Sequence, residues 1–96
     1  MARAETEIKT PQASIYLQQL CKHWSHKFQV EFTPEQGKIP FNPDVTCFLD
    51  AQNGVLKLAV QAPTPEDVTR MEGVVIEHLK RFSHREDIGV PEWRNV

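Results

Sequence analysis

Two histidines, a tryptophan and a cysteine are concentrated in one short segment, Cys21-Lys22-His23-Trp24-Ser25-His26-Lys27. Two imidazoles three residues apart on a helix are neighbours and can both reach one metal ion. A catalytic zinc ion needs three protein ligands and a structural one needs four, so another ligand would have to come from His78 or His84. Alternatively, His23 and His26 line an unspecified ligand pocket, or they only cover the end of a helix. They are therefore weak metal candidates, and the covering role is the simpler interpretation.

A second group of residues recurs at helical spacing beside an apolar stripe and consists of Val74, His78, Arg81 and Arg85. Guanidinium groups beside an imidazole suit a carboxylate or a phosphate, because the planar guanidinium can donate two parallel hydrogen bonds to it. The alternative is a solvated flank, and the acidic residues that would partly neutralise it are Glu77, Glu86 and Asp87. The sequence therefore makes a small organic anion the first ligand to consider.

Neither cysteine is predicted to be a nucleophile. A reactive thiol needs a lowered pKa, partial exposure and a nearby base, whereas Cys21 falls on an apolar helical stripe and Cys47 on the inward side of a hairpin. The sequence contains no phosphate-binding glycine loop, paired-carboxylate motif or nucleophile elbow. An enzyme with His23 or His26 as general base would still lack a nucleophile and an acid. The prediction leans away from an enzyme, and no cofactor is firmly implied.

Composition limits the remaining classes of protein. The chain has 96 residues, which predicts one domain over residues 1–96. A net charge of −2 disfavours nucleic acid as a partner, because phosphate binding depends on clustered Lys and Arg. No apolar segment is long enough to cross a membrane, and no secretory signal is recognisable at the N-terminus. We therefore expect a cytoplasmic protein that binds neither nucleic acid nor a membrane.

The first two elements are predicted from periodicity. Residues 2–9 alternate between small or apolar side chains and charged ones, which indicates a half-buried strand. Thr10 is expected to cap a helix that has Pro11 at its first position and runs to about His26. Spacings of three and four residues define its apolar stripe, which comprises Ala13, Leu17, Leu20, Cys21, Trp24 and Phe28.

Four strands are predicted next, at residues 28–32, 38–41, 45–50 and 55–61. Pro40 confines the second of these to an edge or a bulged position, and a turn is expected at residues 34–37. Asn53-Gly54 is a strong signal for a two-residue hairpin turn. Such a turn fixes a register in which opposite charges meet on one face and apolar residues on the other. The predicted pairs are Gln52 with Val55, Asp50 with Lys57, Leu49 with Leu58, and Cys47 with Val60.

A second helix is predicted from Thr64, its cap, to about Arg85, with Pro65 at the first position and Asp67 in a capping box. Its interior Gly73 costs about 1 kcal/mol, and a close approach of backbone or ligand would explain it. Residues 88–94 allow a short final edge strand, with Trp93 docked against the domain.

The order of elements is therefore β-α-β-β-β-β-α, with an optional final strand. Two amphipathic helices on one face of a mostly antiparallel sheet form a two-layer α+β sandwich. By strand order it resembles one half of the TATA-binding protein, but without a DNA function, because the open face would carry Glu5, Glu7, Glu31 and Asp50. The apolar residues expected on that face, Phe48, Val55 and Ala59, form a small patch. We therefore expect a monomer or a weak homodimer.

Several segments together resemble a bacterial family known as domain of unknown function 2218. The most specific is residues 20–28, and the others are Glu72-Gly73-Val74-Val75, His78-Leu79, Arg81-Phe82, Arg85-Glu86 and Trp93-Arg94. The resemblance runs from Ala4 to Arg94. It implies a bacterial cytoplasmic protein, often a stand-alone domain, without an established activity. In some bacteria a similar domain is joined to siderophore-interacting flavin reductases, which adds a metal- or haem-linked role in iron metabolism as an alternative.

The leading prediction is a non-enzymatic binding or accessory domain. Its site is expected where the C-terminal halves of the two helices meet, and its ligand is a small organic anion or an acidic protein partner. The candidate residues are His23, Trp24, His26, His78, Arg81, Arg85 and Trp93.

Overall fold

Six antiparallel strands and two helices follow one another in the predicted order in a computed structural model, which describes residues 1–83, 86, 88–89 and 91–96. The elements are β1 (Ala2–Lys9), α1 (Ala13–Trp24), β2 (Glu31–Phe32), β3 (Gln36–Asn42), β4 (Val45–Gln52), β5 (Val55–Ala62), α2 (Pro65–Phe82) and β6 (Arg94–Asn95). Among these described residues, no helix is both long and apolar enough to cross a membrane.

The strands form one sheet in the order β2-β3-β4-β5-β1-β6. The β4–β5 hairpin turns at Asn53 and Gly54, whose φ angles of 54° and 73° are those of the tight turn favoured between twisted strands. All four predicted pairs across the hairpin are confirmed. Pro40 lies where the pairing of β3 with β4 shifts register, as its missing N–H predicts.

Both helices pack on the same face of the sheet, as the two apolar stripes predict. Leu17 and Leu20 of α1 are fully buried, as are Val75 and Leu79 of α2. They belong to one apolar cluster with the inward side chains of the strands, which include Ala4, Ile8, Ile39, Cys47, Leu49, Leu56, Leu58 and Val60. Burial of these residues is the main stabilisation of the fold.

Helix α2 begins as predicted. The Thr64 hydroxyl accepts a hydrogen bond from the Asp67 N–H at 3.2 Å, and Pro65 occupies the first turn. The helix ends at Phe82, where the Ser83 N–H donates to the Leu79 carbonyl. The predicted end near Arg85 was too late, and Arg85 itself lies outside the described residues.

Helix α1 is shorter than predicted, because Thr10 does not cap it. The N-terminal cap is Gln12, whose carbonyl accepts from the Tyr16 N–H. The Thr10 hydroxyl instead accepts from the Gln12 N–H at 3.1 Å and donates to the Glu86 carboxylate at 2.8 Å. Thr10 therefore uses its oxygen in a local turn that precedes the helix and its proton in a tertiary contact with a residue far along the chain.

The prediction of a strand over residues 28–32 was largely wrong. The Lys27 and Phe28 N–H groups both donate to the Trp24 carbonyl at 3.0 Å, so the turn that ends α1 extends to Phe28. Only Glu31–Phe32 pairs with β3. The turn predicted at 34–37 also lies slightly earlier, because the Thr33 N–H already bonds to the Gln36 carbonyl.

Gly73 has no close neighbour in the part of the chain that the structure describes, so the expected approach of another backbone is wrong, whereas the approach of a ligand stays a prediction. A Cβ atom built there would meet no atom within 4 Å.

Gly73→Ala should therefore raise the free energy of unfolding by about 0.5–1 kcal/mol, because alanine restricts the unfolded chain without strain in a helix. Urea denaturation measures this. Gly54→Ala is the matched control and should destabilise, because the φ of Gly54 is +73°. If Gly73→Ala lowered the free energy of unfolding, this would contradict the open space that the structure shows at position 73.

At Gly37 the core leaves no room for a side chain. A Cβ atom there would lie 2.7 Å from the Cys21 Sγ, inside the core. Gly37→Ala should destabilise the domain by about 1–3 kcal/mol through overpacking. Combining it with Cys21→Ala should cost less than the sum of the two single substitutions, because the clashing atom is removed. Additive effects in urea denaturation would contradict this contact.

Candidate functional site

Four rings meet where α1 and α2 pack side by side, and we call these residues, with Arg81, the helix junction: His23, Trp24, His78, Arg81 and Phe82. The His23 ring centre lies 5.3 Å from that of His78 and 6.0 Å from that of Phe82. The Trp24 and His78 centres are 4.7 Å apart. The junction therefore offers two imidazoles embedded among aromatic faces.

The packing of the helices determines which residues meet. Tyr16, early in α1, contacts Glu86 beyond the end of α2, whereas His23, late in α1, contacts His78 within α2. The helices therefore run antiparallel. Trp24 is buried and packs edge-on against Phe41 of β3, with ring centres 5.1 Å apart. The tryptophan anchors the end of α1 to the sheet and thereby positions His23 at the surface.

The His78 ring is oriented by its own helix. Its Nδ1 lies 2.7 Å from the Val74 carbonyl oxygen, a distance that requires a proton on Nδ1. In the neutral ring the Nε2 atom is then the unprotonated nitrogen. His78 is half-buried, so it presents this second nitrogen from a fixed position.

Packing and charge both act on His23. Packing against its neighbours lowers the pKa of the His23 imidazole, and positive charge on His78, Arg81, His26 and Lys27 lowers it further. Although the residue is exposed, the ring contacts with Trp24 and Phe82 remove water from part of it. Arg81 and Lys27 thus place positive charge near the junction, although Arg81 also lies 3.8 Å from Glu77, and this charge favours a negatively charged ligand.

A shallow groove of about 420 Å³ continues from the junction between the helices. Its lining consists of Gln12, Ile15, Tyr16, Gln19, Phe82 and Glu86. At its end the Tyr16 hydroxyl donates to the Glu86 carboxylate at 2.6 Å. Burial, and then this carboxylate, raise the pKa of Tyr16 to about 12. The groove thus has an acidic end and a positive, aromatic end.

The remaining candidate residues are placed differently. Arg81, at the edge of the junction, lies on the exposed side of α2 with its guanidinium 3.8 Å from the Glu77 carboxylate. His26 lies in the turn after α1 and is exposed. Trp93 packs against the core beside β1, where the Thr6 hydroxyl donates to the carbonyl of the preceding residue, Glu92. Among the described residues, no ring contact joins Trp93 to the junction. Arg85 lies outside them.

The histidine pair that comes together is His23 with His78, not His23 with His26. Within the part of the chain that the structure describes, no three His, Cys, Asp or Glu residues are grouped to hold a metal ion. His84, the other proposed third ligand, lies outside that part. The arrangement offers two imidazole nitrogens, which is fewer than a zinc site requires.

Both cysteines are core residues, as predicted. Cys21 and Cys47 are fully buried free thiols, and burial raises the pKa of each to about 12. Since the thiolate is the reactive form, neither is a nucleophile at neutral pH.

Sequence reasoning missed two features. Phe82, which follows Val75 and Leu79 at helical spacing, is half-buried and forms part of the junction. A groove of about 740 Å³ also lies on the face of the sheet opposite the helices, over Phe48 and Ala59. Asp50 lies two residues after Phe48, and Lys57 lies two residues before Ala59, but only the order of the strands brings these charges together with those of β1 and β3.

The chain belongs to the family described as an uncharacterised protein conserved in bacteria (DUF2218), whose model matches residues 5–94. It is similar to PA4090 from Pseudomonas aeruginosa, whose NMR structure shares 36% sequence identity with it and has a TM-score of 0.81. That match covers 98% of this chain and 96% of the other. No curated protein matches the sequence. The family resemblance is therefore confirmed over nearly the whole chain.

The pKa of Tyr16 can be measured directly, since it is the single tyrosine in the sequence. Titration of phenolate absorbance should give a value of about 12. Glu86→Gln should lower it towards 10 without reaching that value, because burial remains the larger cause. As the folded pKa is raised, the stability that Tyr16 contributes is present below pH 10 and is lost as the pH rises towards 12. A wild-type pKa near 10 would contradict both the burial of Tyr16 and its contact with Glu86.

Proposed function

We propose that this chain is a non-enzymatic binding domain that takes up a small organic anion at the helix junction. The observation that carries this proposal is the meeting of His23 and His78 among aromatic rings, near the positive charges of Arg81 and Lys27. An aromatic or otherwise planar carboxylate or phosphate ester matches both properties. Its ring would pack on Phe82 and the imidazoles, and its charged group would lie towards Arg81.

Binding is favoured over catalysis by the chemistry of the residues available. The junction offers hydrogen-bond donors and ring faces, whereas both thiols are buried in the core with raised pKa values. An imidazole alone can move a proton, but a covalent or hydrolytic reaction also needs a positioned nucleophile. An accessory or carrier role requires only the hydrogen-bond donors and ring faces that the junction provides.

The proposal has a pH dependence with a defined sign. Positive neighbours lower the pKa of His23, and a bound anion would oppose them, so the pKa of His23 should rise when the ligand binds. By linkage, affinity should increase as the pH falls through the titration of this imidazole. NMR titration of the His23 ring with and without benzoate measures the change. An unchanged His23 pKa at saturating benzoate would contradict binding at this position.

Matched probes test the ligand class. Benzoate and phenyl phosphate should shift the resonances of His23, His78 and Arg81 in a two-dimensional NMR spectrum, whereas neutral benzamide should not. Arg81→Gln should weaken binding about tenfold, which corresponds to a charge-assisted hydrogen bond worth about 1.5 kcal/mol. Lys80→Gln is the control, because Lys80 neighbours Arg81 in sequence and is also exposed.

Two outcomes would overturn the proposal. One is a response to the anions that appears elsewhere while the junction resonances stay unchanged. The other is an equal loss of affinity in Arg81→Gln and Lys80→Gln, because that would indicate non-specific attraction to positive charge. An acidic protein surface would be the ligand class instead if acidic peptides shift the junction resonances and small anions do not.

A further inference from the structure

The face of the sheet opposite the helices has an ordered pattern of side chains. Cross-strand pairing aligns them in rows that run from β2 to β6. The central row, in spatial order, is Glu31, Lys38, Phe48, Ala59, Glu5 and Arg94. The next row is Gln36, Asp50, Lys57 and Glu7. We call this surface the open face.

The centre of the open face is apolar and partly enclosed. Phe48 lies beneath two cations, with the Arg3 guanidinium 5.2 Å and the Lys38 ammonium 6.0 Å from its ring centre. Ala59, beside it, is only 6% exposed although no helix covers it. A large side chain next to a small one leaves a groove into which another side chain can project.

Asp50 has incomplete hydrogen bonding on this face. Its Oδ1 atom is buried and accepts no hydrogen bond from the described residues. The cross-strand neighbour Lys57 is directed instead towards Glu7, with the ammonium 3.9 Å from that carboxylate. Asp50 is half-buried and forms no ion pair among the described residues, so a surface that places a cation opposite it would be favourable.

We propose that the open face binds the open face of a second copy of this chain, in a weak homodimer with twofold symmetry. The axis lies between the two faces, parallel to the strands, and passes between β4 and β5. This is the middle of the six-stranded sheet. It places β4 on β5 of the second copy, β3 on β1, and β2 on β6.

This symmetry brings opposite charges together in both rows. In the central row Glu31 faces Arg94 of the second copy, and Lys38 faces its Glu5. Phe48 faces Ala59, so a large side chain meets a small one. In the next row Asp50 faces Lys57 of the second copy, so opposite charges meet there as well. The same surface patch is used on both copies, as a twofold interface requires.

The charge pattern also selects this axis over the alternative. A twofold axis parallel to the rows would place each residue of the central row opposite its own copy. Glu31, Lys38, Glu5 and Arg94 would then each face a like charge, which is unfavourable. Sheets that pack face to face are rotated by about 30°. The pairs nearest the axis, Phe48 with Ala59 and Asp50 with Lys57, are therefore the best aligned.

The size of the face sets the strength of the dimer. Four long strands about 4.8 Å apart and about 26 Å long give roughly 500 Å² of projected area per copy. A standard specific interface buries about 800 Å² per partner. Association should therefore be weak, with a dissociation constant on the order of 10–100 µM, and it should weaken further in high salt because the facing pairs are charged.

A charge exchange between Asp50 and Lys57 tests the proposal. Sedimentation equilibrium should show self-association of the wild-type chain. Asp50→Lys and Lys57→Asp should each weaken it at least about tenfold, because each places two like charges opposite one another. Mixing the two variants in equal amounts should restore association. The lysine introduced in one variant then faces the aspartate introduced in the other, and the native Lys57 of the first variant faces the native Asp50 of the second.

The mixture separates an interface effect from a folding effect. Each single variant also places like charges side by side within its own hairpin, and this defect is the same alone and in the mixture. Recovery on mixing must therefore come from contacts between chains.

Lys80→Asp, on the opposite side of the molecule, should dimerise like the wild-type chain. A wild-type chain that stays monomeric at about 1 mM would overturn the proposal. So would a mixture that associates no better than its components.

Discussion

Burial of one face of the sheet beneath two helices is the constraint on which the rest of the structure depends. Side chains alternate along β1, β4 and β5, so most of the apolar residues of these strands point to one side and can be covered from there. Leu17 and Leu79, one from each helix, are both fully buried against that side. Since both helices must lie there, their flanks are forced into contact. The helix junction is a consequence of covering the core.

The same constraint leaves the other face of the sheet without a helix and gives it a different chemistry. The helix side presents imidazoles and a guanidinium in a positive field, whereas the open face carries both signs of charge around Phe48 and Ala59. A surface with one excess sign suits a small ion of the opposite sign. A surface with balanced and alternating signs is best matched by another such surface, which in the proposed dimer a second copy would supply.

The sequence was sufficient for the fold because the decisive signals were local. Asn53-Gly54 determined the hairpin register, and Thr64 capped α2 through a contact three residues away. Thr10 has the same local signature, yet its hydroxyl bonds to Glu86, and no local rule contains that residue.

For the same reason the site could be predicted only in part. The sequence placed His23 and His78 on helix flanks, but only the packing of α1 on α2 brings their rings within 5.3 Å. The rows of the open face depend on β1 lying between β5 and β6, which is a property of the whole chain.

The two surfaces are separated by one layer of packed side chains, and this separation determines how far one can influence the other. Cys47 and Leu49 point inward from β4 and are buried, whereas Phe48 between them points outward. Transmission from one side to the other would require a strand or helix with two alternative arrangements. The core is close-packed, and β4 and β5 are each paired with a neighbouring strand on both sides. Neither strand can therefore move to a second arrangement easily. Anion binding at the junction and dimerisation through the open face should therefore not affect each other. A dimer would present two equivalent junctions on its outer sides, and each would be available to ligand.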